Sequence, residues 1–200
     1  MRADAEKPGI FDAIAPVYGL FYGCQKRKYS RLLDEHAQAL GLNEIDSAID
    51  IGCGTGALCA ALYTKGIAIT GVEPAERMLR VGKSRHENSG IRFLRADALM
   101  TLPFPDKSFD AAFASHVAHG LSPQGRQVLY AEMRRLARRA VILYDYHATR
   151  APHVALIEKL EGGDYFRFIR QAEAELRAIF PQVRVIRAGK RSSWYICDPG

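Results

Sequence analysis

The sequence has no long apolar run and no paired cysteines. Its apolar stretches are short, as at 140–144, whereas a helix that crosses a bilayer needs roughly 20 such residues. Residues 1–8 are charged and polar, and no apolar signal-peptide segment follows them. The four cysteines form neither a CxxC pair nor a zinc-ligand spacing; they are Cys24, Cys53, Cys59 and Cys197. These absences predict a cytoplasmic protein with reduced thiols, no membrane span and no metal site.

The composition is that of one ordinary globular domain. Hydrophobic residues make up 48%, charged residues 25% and aromatic residues 10% of the 200 residues, which excludes a disordered or low-complexity chain. The net charge of +6 comes from basic clusters at 26–28, 134–139 and 184–191. Such clusters attract polyanions weakly, but they are also typical of solvated helix faces. We therefore expect no nucleic-acid partner and keep RNA binding as an alternative.

Helices and strands are predicted to alternate along most of the chain. Apolar residues recur at helical spacing in 29–40, 129–140 and 165–180, and shorter helices are expected at 57–64 and 75–85. Runs typical of strands lie between them at 48–51, 68–72, 91–94, 109–114 and 140–144. This alternation predicts a mostly parallel α/β sheet with helices on both faces. The runs at 183–186 and 193–196 are too close for a crossover helix, so we expect them to pair antiparallel.

A glycine loop follows the first predicted strand. Gly52, Gly54 and Gly56 alternate there, directly before a predicted helix. Glycines at such a place let the backbone turn tightly and approach a ligand beside the helix N-terminus. Because Ala57 takes the third small-residue position and Glu73 follows about 20 residues later, the dinucleotide fingerprint is satisfied as well. The loop alone therefore leaves two classes of cofactor open.

The charge at the end of the first strand favours one of the two cofactors. Asp50 stands two residues before the first glycine, where its carboxylate would repel the pyrophosphate of a dinucleotide. S-adenosylmethionine has no phosphate and carries an ammonium and a sulfonium group, both of which a carboxylate attracts. Asp50 therefore indicates S-adenosylmethionine.

Residues 49–56 resemble motif I of the class I S-adenosylmethionine-dependent methyltransferases. The resemblance continues in order through 71–74 with Met78, which is similar to the second-strand motif, and through 95–98 with 102–104, which is similar to the third motif. Residues 104–110 match the stretch that leads into strand four, so the resemblance covers about residues 45–145. It implies a Rossmann-like doubly wound seven-stranded sheet whose last strand is antiparallel, with helices on both faces.

The resemblance also implies how the cofactor is held. Glu73 would bind the ribose diol, since a carboxylate offers two oxygens to two hydroxyls, and Asp97 would take the adenine amino group. S-adenosylmethionine is thus the expected cofactor and S-adenosylhomocysteine its product. The expected cofactor-binding residues are Asp50, Gly52, Cys53, Gly54, Gly56, Glu73, Pro74, Met78, Asp97, Ala98 and Ser115.

The sequence lacks the signatures of several methyltransferase classes, and these absences limit the possible methyl acceptors. Residues 115–118 stand where amino-methylating enzymes of nucleic acids carry an Asn or Asp-Pro-Pro-aromatic motif, and no cysteine lies in that region as cytosine-C5 enzymes require. The paired glutamates of protein-arginine enzymes are missing too. What remains resembles the small-molecule branch near the ubiquinone/menaquinone-biosynthesis methyltransferases. Residues 11–18 are similar to the opening of those enzymes, but 19–22 depart from it, so the quinone substrate is not carried over.

The expected partner is a small-molecule methyl acceptor, in a monomer or a homodimer. Methyl transfer needs an aligned nucleophile and, for a phenol, enol or amine, a base. His116, His119 and Tyr18 are the candidates for base or clamp, with a second group at Tyr22 and 145–147. We expect one compact domain, in which a helical segment at 1–44 covers the cofactor site of a methyltransferase domain at 45–200. The turn at 162–166 is either part of an acceptor lid or an ordinary connection.

Three other functions stay open on the sequence alone. A nicotinamide-dependent oxidoreductase would bind NADH in the same loop. An RNA methyltransferase would use the basic clusters and bind RNA with an affinity that falls steeply with salt. A non-catalytic protein would bind the cofactor as a sensor or partner subunit and turn over no acceptor.

Overall fold

A seven-stranded mixed sheet organises the part of the chain that the computed structural model describes, residues 10–147 and 165–200. The strand order is β3-β2-β1-β4-β5-β7-β6. β1 to β5 pair in parallel, while β7 pairs antiparallel with both β5 and β6. The predicted Rossmann-like class and the antiparallel last strand are confirmed. The strands are β1 (Ser47–Ile51), β2 (Ala68–Val72), β3 (Arg92–Leu94), β4 (Phe109–Ser115), β5 (Ala137–Tyr146), β6 (Gln182–Arg187) and β7 (Ser192–Asp198).

Helices cover both faces of this sheet. They are α1 (Ile10–Leu40), α2 (Ala57–Tyr63), α3 (Glu76–Lys83), α4 (Pro123–Leu136) and α5 (Tyr165–Ile179). The central strands send alternate side chains into two cores. In β4, Phe113 packs with the core under α1 and α2, whereas Ala112 and Ala114 pack with the core under α4 and α5. None of the helices in the described ranges has the length and apolarity needed to cross a bilayer.

Helix α1 is much longer than the sequence pattern predicted. The expected helix began at residue 29, but the observed one begins at Ile10 and ends before Gly41, whose φ of 65° is left-handed. Glycines weaken the helical pattern upstream, yet tertiary contacts hold this part. The Tyr22 hydroxyl donates to Oδ1 of Asn88 at 2.9 Å, and Arg85 donates to the Gly19 carbonyl at 2.7 Å.

Helix α4 begins as predicted but ends earlier. The Ser122 hydroxyl accepts a hydrogen bond from the Gly125 amide at 3.1 Å, and Pro123 takes the first helical position. The sequence pattern extended this helix to Ala140, whereas the structure ends it at Leu136 and begins β5 at Ala137. Pairing of Ala137 with Phe109 in the parallel sheet outweighs the helical pattern. The predicted turn at 162–166 lies outside the described residues, apart from the start of α5.

The loop between β3 and β4 is fixed by one arginine of α4. Arg135 donates to the carbonyls of Leu102 and Phe104 at 3.1 and 2.7 Å, and it also pairs with Glu132 and Asp106. Glu132 in turn accepts the Leu102 amide at 2.7 Å. Arg135 therefore belongs to the framework, although the sequence assigned its cluster to a solvated helix face.

Removing this arginine should destabilise the fold. In Arg135→Ala, two loop carbonyls and the buried Glu132 carboxylate lose their partner, and hydrogen bonds to charged groups are worth about 1.5–3 kcal/mol each. We expect the free energy of unfolding in urea to fall by about 2–3 kcal/mol. The control Arg177→Ala breaks an exposed pair with Glu173 and should cost about 0.5 kcal/mol or less. Equal losses in the two variants would contradict this role of Arg135.

Candidate functional site

The carboxyl ends of β1, β2, β3, β4 and β5 meet at one edge of the sheet. Parallel α/β sheets bind ligands at this edge, outside the strand ends. The predicted cofactor-binding residues lie at the ends of these strands, in the loops that follow them or at the start of α3. The structure therefore brings the predicted site residues of 50–56, 73–78, 97–98 and 115–119 to one side of the molecule.

The glycine loop, residues 52–56, has a conformation that side chains would prevent. Gly52, Gly54 and Gly56 have φ values of 73°, 55° and 78°, a region that L-residues rarely adopt. A Cβ on Gly52 would lie 2.5 Å from the Val117 side chain, and one on Gly56 would lie 2.7 Å from the Phe93 ring. A Cβ on Gly54 would meet no heavy atom within 4 Å. The loop is thus tightly packed at both ends and accessible at its middle.

Glu73 holds the middle of the glycine loop in place. Its Oε2 accepts the Gly54 amide at 3.0 Å, and its Oε1 accepts the Ala75 amide at 2.9 Å. The carboxylate is buried and joins the loop to the start of α3. Met78, one turn into α3, packs with Ala75 and with Ala15 of α1. The early part of α1 therefore lies beside the predicted ribose site, whereas covering of the cofactor by residues 1–44 stays a prediction.

Asp50 is a buried carboxylate with an unused oxygen. Its Oδ2 accepts from the Cys59 thiol at 3.2 Å, whereas its Oδ1 is buried without a hydrogen-bond partner. Burial raises the pKa of Asp50 from 3.8 to about 7; the hydrogen bond from Cys59 opposes the shift, and the charge of Glu73 adds to it. Buried polar atoms are rarely left unpaired. This oxygen fits a bound cation such as the ammonium group of S-adenosylmethionine.

The remaining predicted cofactor residues have different environments. Asp97 is exposed, and its Oδ1 accepts the Leu99 amide at 2.9 Å. Pro74 is exposed, Ala98 is half-buried and Cys53 is buried. The Ser115 hydroxyl lies 2.7 Å from the hydroxyl of Tyr29. Tyr29 joins α1 to the end of β4, and the sequence pattern had placed it only on the packing face of that helix.

Two histidines and an aspartate form a cluster at the ends of β4 and β5. His116 follows β4 with a left-handed φ of 54°, and His119 lies on a 3-10 turn. The His119 Nδ1 is 2.9 Å and the His116 Nδ1 3.8 Å from Oδ1 of Asp145. Burial alone would raise the pKa of the Asp145 carboxyl, but the imidazoles of His116 and His119 hold it well below its usual range. We call these three residues the histidine cluster.

Aromatic rings surround the histidine cluster. The His116 ring centroid is 5.0 Å from that of Tyr144 and 4.8 Å from that of Tyr146, and His119 is also 4.8 Å from Tyr146. Each histidine side chain keeps 24% of its surface exposed, whereas the Asp145 side chain keeps 1%. The cluster is therefore partly accessible on the imidazole side and closed on the carboxylate side.

The predicted acceptor-side residues are only partly brought together. His116 and His119 are neighbours, with ring centroids 6.0 Å apart, and Tyr18 lies on the early part of α1, 38% exposed. His147 is buried, and its Nδ1 lies 3.1 Å from the Ser193 hydroxyl of β7. Sequence reasoning missed the pairing of His119 with Asp145. The sign of this pairing in the sequence is Asp145 itself, an acidic residue at the end of an otherwise apolar strand.

The burial of Asp50 gives a test that needs no ligand. The unfolded chain ionises this carboxyl near pH 4 and the folded chain near pH 7, so Asp50 should lower stability as the pH rises between these values. At pH 8, the free energy of unfolding of Asp50→Asn in urea should therefore exceed that of the wild type by roughly 2–4 kcal/mol, since each pKa unit corresponds to about 1.4 kcal/mol. At pH 5 the difference should be smaller.

Asp110 provides the matched control. It is a buried aspartate at the start of β4, and its pKa is lowered because bonds from Ser47 and Arg138 outweigh its burial. Asp110→Asn should be less stable than the wild type at pH 8. If Asp50→Asn were also less stable than the wild type at pH 8, the ionised Asp50 carboxylate would not destabilise the fold, and this prediction would be refuted.

Comparison with known proteins gives a family match for the central part of the chain. Residues 49–144 match the methyltransferase domain family. The demethylmenaquinone methyltransferase of Tropheryma whipplei is 29% identical over 163 residues, which cover 80% of this chain and 64% of that protein. The chain thus spans less than two thirds of the length of that relative.

Solved structures share the fold. The PH0226 protein of Pyrococcus horikoshii superposes with a TM-score of 0.72 at 16% identity, covering 87% of this chain and 91% of that one. Human N-acetylserotonin methyltransferase, solved in complex with S-adenosylmethionine, gives a TM-score of 0.68 at 15% identity and covers 97% of this chain and 57% of that one. At these identities the likeness concerns the fold alone. The ordered motifs and the match of residues 49–144 to the methyltransferase domain family make the chain similar to the class I S-adenosylmethionine-dependent methyltransferases.

Proposed function

We propose that the protein transfers a methyl group from S-adenosylmethionine to an oxygen, nitrogen or carbon atom of a small-molecule acceptor. The observation that carries this proposal is the unpartnered, buried Oδ1 of Asp50 beside the glycine loop. A cationic ligand at this strand end would satisfy that oxygen, whereas the pyrophosphate of a dinucleotide would be repelled.

Other residues of the same edge have donors and acceptors for the rest of the cofactor. The two Glu73 oxygens accept the Gly54 and Ala75 amides, and because a carboxylate oxygen can accept more than one hydrogen bond, we assign the ribose diol to this carboxylate. Asp97 stands exposed behind β3, where its carboxylate can accept from the adenine amino group. Gly54 leaves room above the loop for the backbone to approach the ligand.

In methyl transfer the main task of the protein is to align the acceptor atom with the methyl group. The acceptor's electron pair forms the new bond to the methyl carbon while the carbon–sulfur bond breaks and its electron pair stays on sulfur, giving S-adenosylhomocysteine. The protein orients the acceptor and excludes water around it. We assign this acceptor side to His116, His119 and the rings of Tyr144 and Tyr146, which lie at the ends of β4 and β5 on the same edge of the sheet as the cofactor residues. Tyr18 of α1, which is exposed, stays a candidate for base or clamp on the sequence alone.

The basic cluster at 134–139 does not favour RNA as the acceptor. Arg138 and Arg139 lie at the start of β5 and pair with Asp110 at the start of β4. That edge of the sheet is opposite to the one that carries the glycine loop. Arg134 donates to the Pro199 carbonyl at 2.8 Å. These arginines thus stabilise the fold far from the methyl-transfer site, which supports a small-molecule acceptor.

The first test is a calorimetric titration with S-adenosylhomocysteine and, separately, with NADH. We expect binding of S-adenosylhomocysteine and none of NADH. Asp50→Asn should weaken the binding about tenfold or more, because a hydrogen bond to a charged group of roughly 1.5–3 kcal/mol is lost. Glu76→Gln, which changes an exposed carboxylate paired with Arg80, is the control and should bind as the wild type does. Binding of NADH in place of the nucleoside would overturn the proposal.

The affinity for S-adenosylhomocysteine should also depend on pH. The pKa of Asp50 is about 7 in the free protein, and the ligand's ammonium group attracts only the ionised carboxylate. Affinity should therefore rise with pH up to about 7 and fall by about tenfold for each pH unit below it. Asp50→Asn should show no such step. A wild-type affinity that stays constant between pH 5.5 and 8 would exclude Asp50 as the partner of the ammonium group.

A further inference from the structure

The histidine cluster has the composition and the spacing of a metal site. One ligand atom each from His116, His119 and Asp145 lies within 4.8 Å of the others, the one such set of three found in residues 10–147 and 165–200. The donors are two imidazoles and a carboxylate, which together suit divalent transition metals. The absence of a metal site was predicted from the cysteine spacings alone, and these bear only on cysteine ligands.

The distances around Asp145 match a shared ion. Nitrogen and oxygen ligands bind zinc-like ions at about 2.0–2.2 Å, so two ligands of one ion are roughly 3–4 Å apart. The Nδ1 atoms of His119 and His116 are 2.9 and 3.8 Å from the Asp145 Oδ1. Small side-chain rotations would bring all three atoms around one ion. The elements that carry them are fixed, since the Tyr144 carbonyl accepts the His116 amide at 2.8 Å.

The hydrogen-bonded pair of His119 and Asp145 does not explain the state of His116. Its Nδ1 is buried without a hydrogen-bond partner, and its backbone φ of 54° is left-handed. Such a conformation in a non-glycine residue is strained and persists only where the surroundings impose it. A strained residue thus points an unpaired nitrogen toward a carboxylate that already holds a second imidazole. A metal ion would satisfy this nitrogen.

We propose that His116, His119 and Asp145 bind one divalent transition-metal ion through Nδ1, Nδ1 and Oδ1. His119 then carries its proton on Nε2, and two metal bonds replace its hydrogen bond to Asp145. Three protein ligands leave coordination positions open, on the side where the imidazoles keep 24% of their surface exposed. An acceptor oxygen bound there would be oriented and would lose its proton more readily. This role in the reaction rests on the proposed function, whereas the binding of the ion does not.

Cobalt is a direct probe of this site, because Co²⁺ has visible absorption bands that report its ligands. Protein freed of metal with EDTA is titrated with Co²⁺ and followed by absorption and calorimetry. We expect one Co²⁺ per chain and displacement by Zn²⁺. His116→Gly, which relieves the left-handed backbone, and Asp145→Asn should each weaken Co²⁺ binding about tenfold or more, since even outer-shell changes cost 10–100-fold. The control His86→Ala, at an exposed 3-10 turn, should leave it unchanged.

Two outcomes would overturn the metal site. One is a wild-type protein that shows no Co²⁺ absorption although circular dichroism shows it folded. The other is equal Co²⁺ affinity in the wild type and in folded His116→Gly and Asp145→Asn. Titration of the same samples with S-adenosylhomocysteine separates the two proposals. Nucleoside binding without Co²⁺ binding refutes the metal site alone, whereas Co²⁺ binding without nucleoside binding refutes the proposed function alone.

Discussion

The rest of the site depends on a backbone that only glycine can form. At Gly52 and Gly56 the chain passes so close to Val117 and Phe93 that no Cβ would fit, and all three glycines of the loop are left-handed. This close approach brings the end of β1 against the residue that separates His116 from the 3-10 turn of His119. The predicted cofactor site and the proposed acceptor site are therefore joined through the close approach of Gly52 to Val117. A shift in the loop would move both.

The buried carboxylates at the two edges of the sheet have opposite effects on the stability of the fold. At the amino ends of the strands, Asp110 accepts from Ser47 and Arg138 and stabilises the fold. At the carboxyl ends, Asp50 is held with one oxygen unpaired, at a cost in stability that only a ligand can offset. Asp145 lies between these cases, because it accepts the amides of His119 and Tyr146 and also pairs with two imidazoles on the proposed acceptor side. Unsatisfied charge is concentrated where chemistry is proposed, as expected for a functional edge.

The sequence predicted the layers and the strand pairing because these follow from local periodicity and connection length. The strand at 68–72 and the antiparallel pair at the end of the chain were predicted with nearly the residue ranges that the structure shows. Helix α1 was underestimated because its first part is held by Asn88 and Arg85, residues more than 60 positions away. The pairing of His119 with Asp145 could not be predicted either. It depends on the register of β4 and β5, in which Ser115 lies beside Tyr144, and no local pattern sets that register.

The insertion of β7 between β5 and β6 has a consequence for the emerging chain on the ribosome. β5 is complete at residue 146, but its second neighbour is formed by residues 192–198. Until those residues leave the exit tunnel, the apolar row Val141 to Tyr144 forms an open sheet edge. Such an edge is a template for pairing with other chains, and partly synthesised domains are prone to that error. Protection of this edge by a chaperone during synthesis would therefore matter more for the yield of this protein than for its final stability.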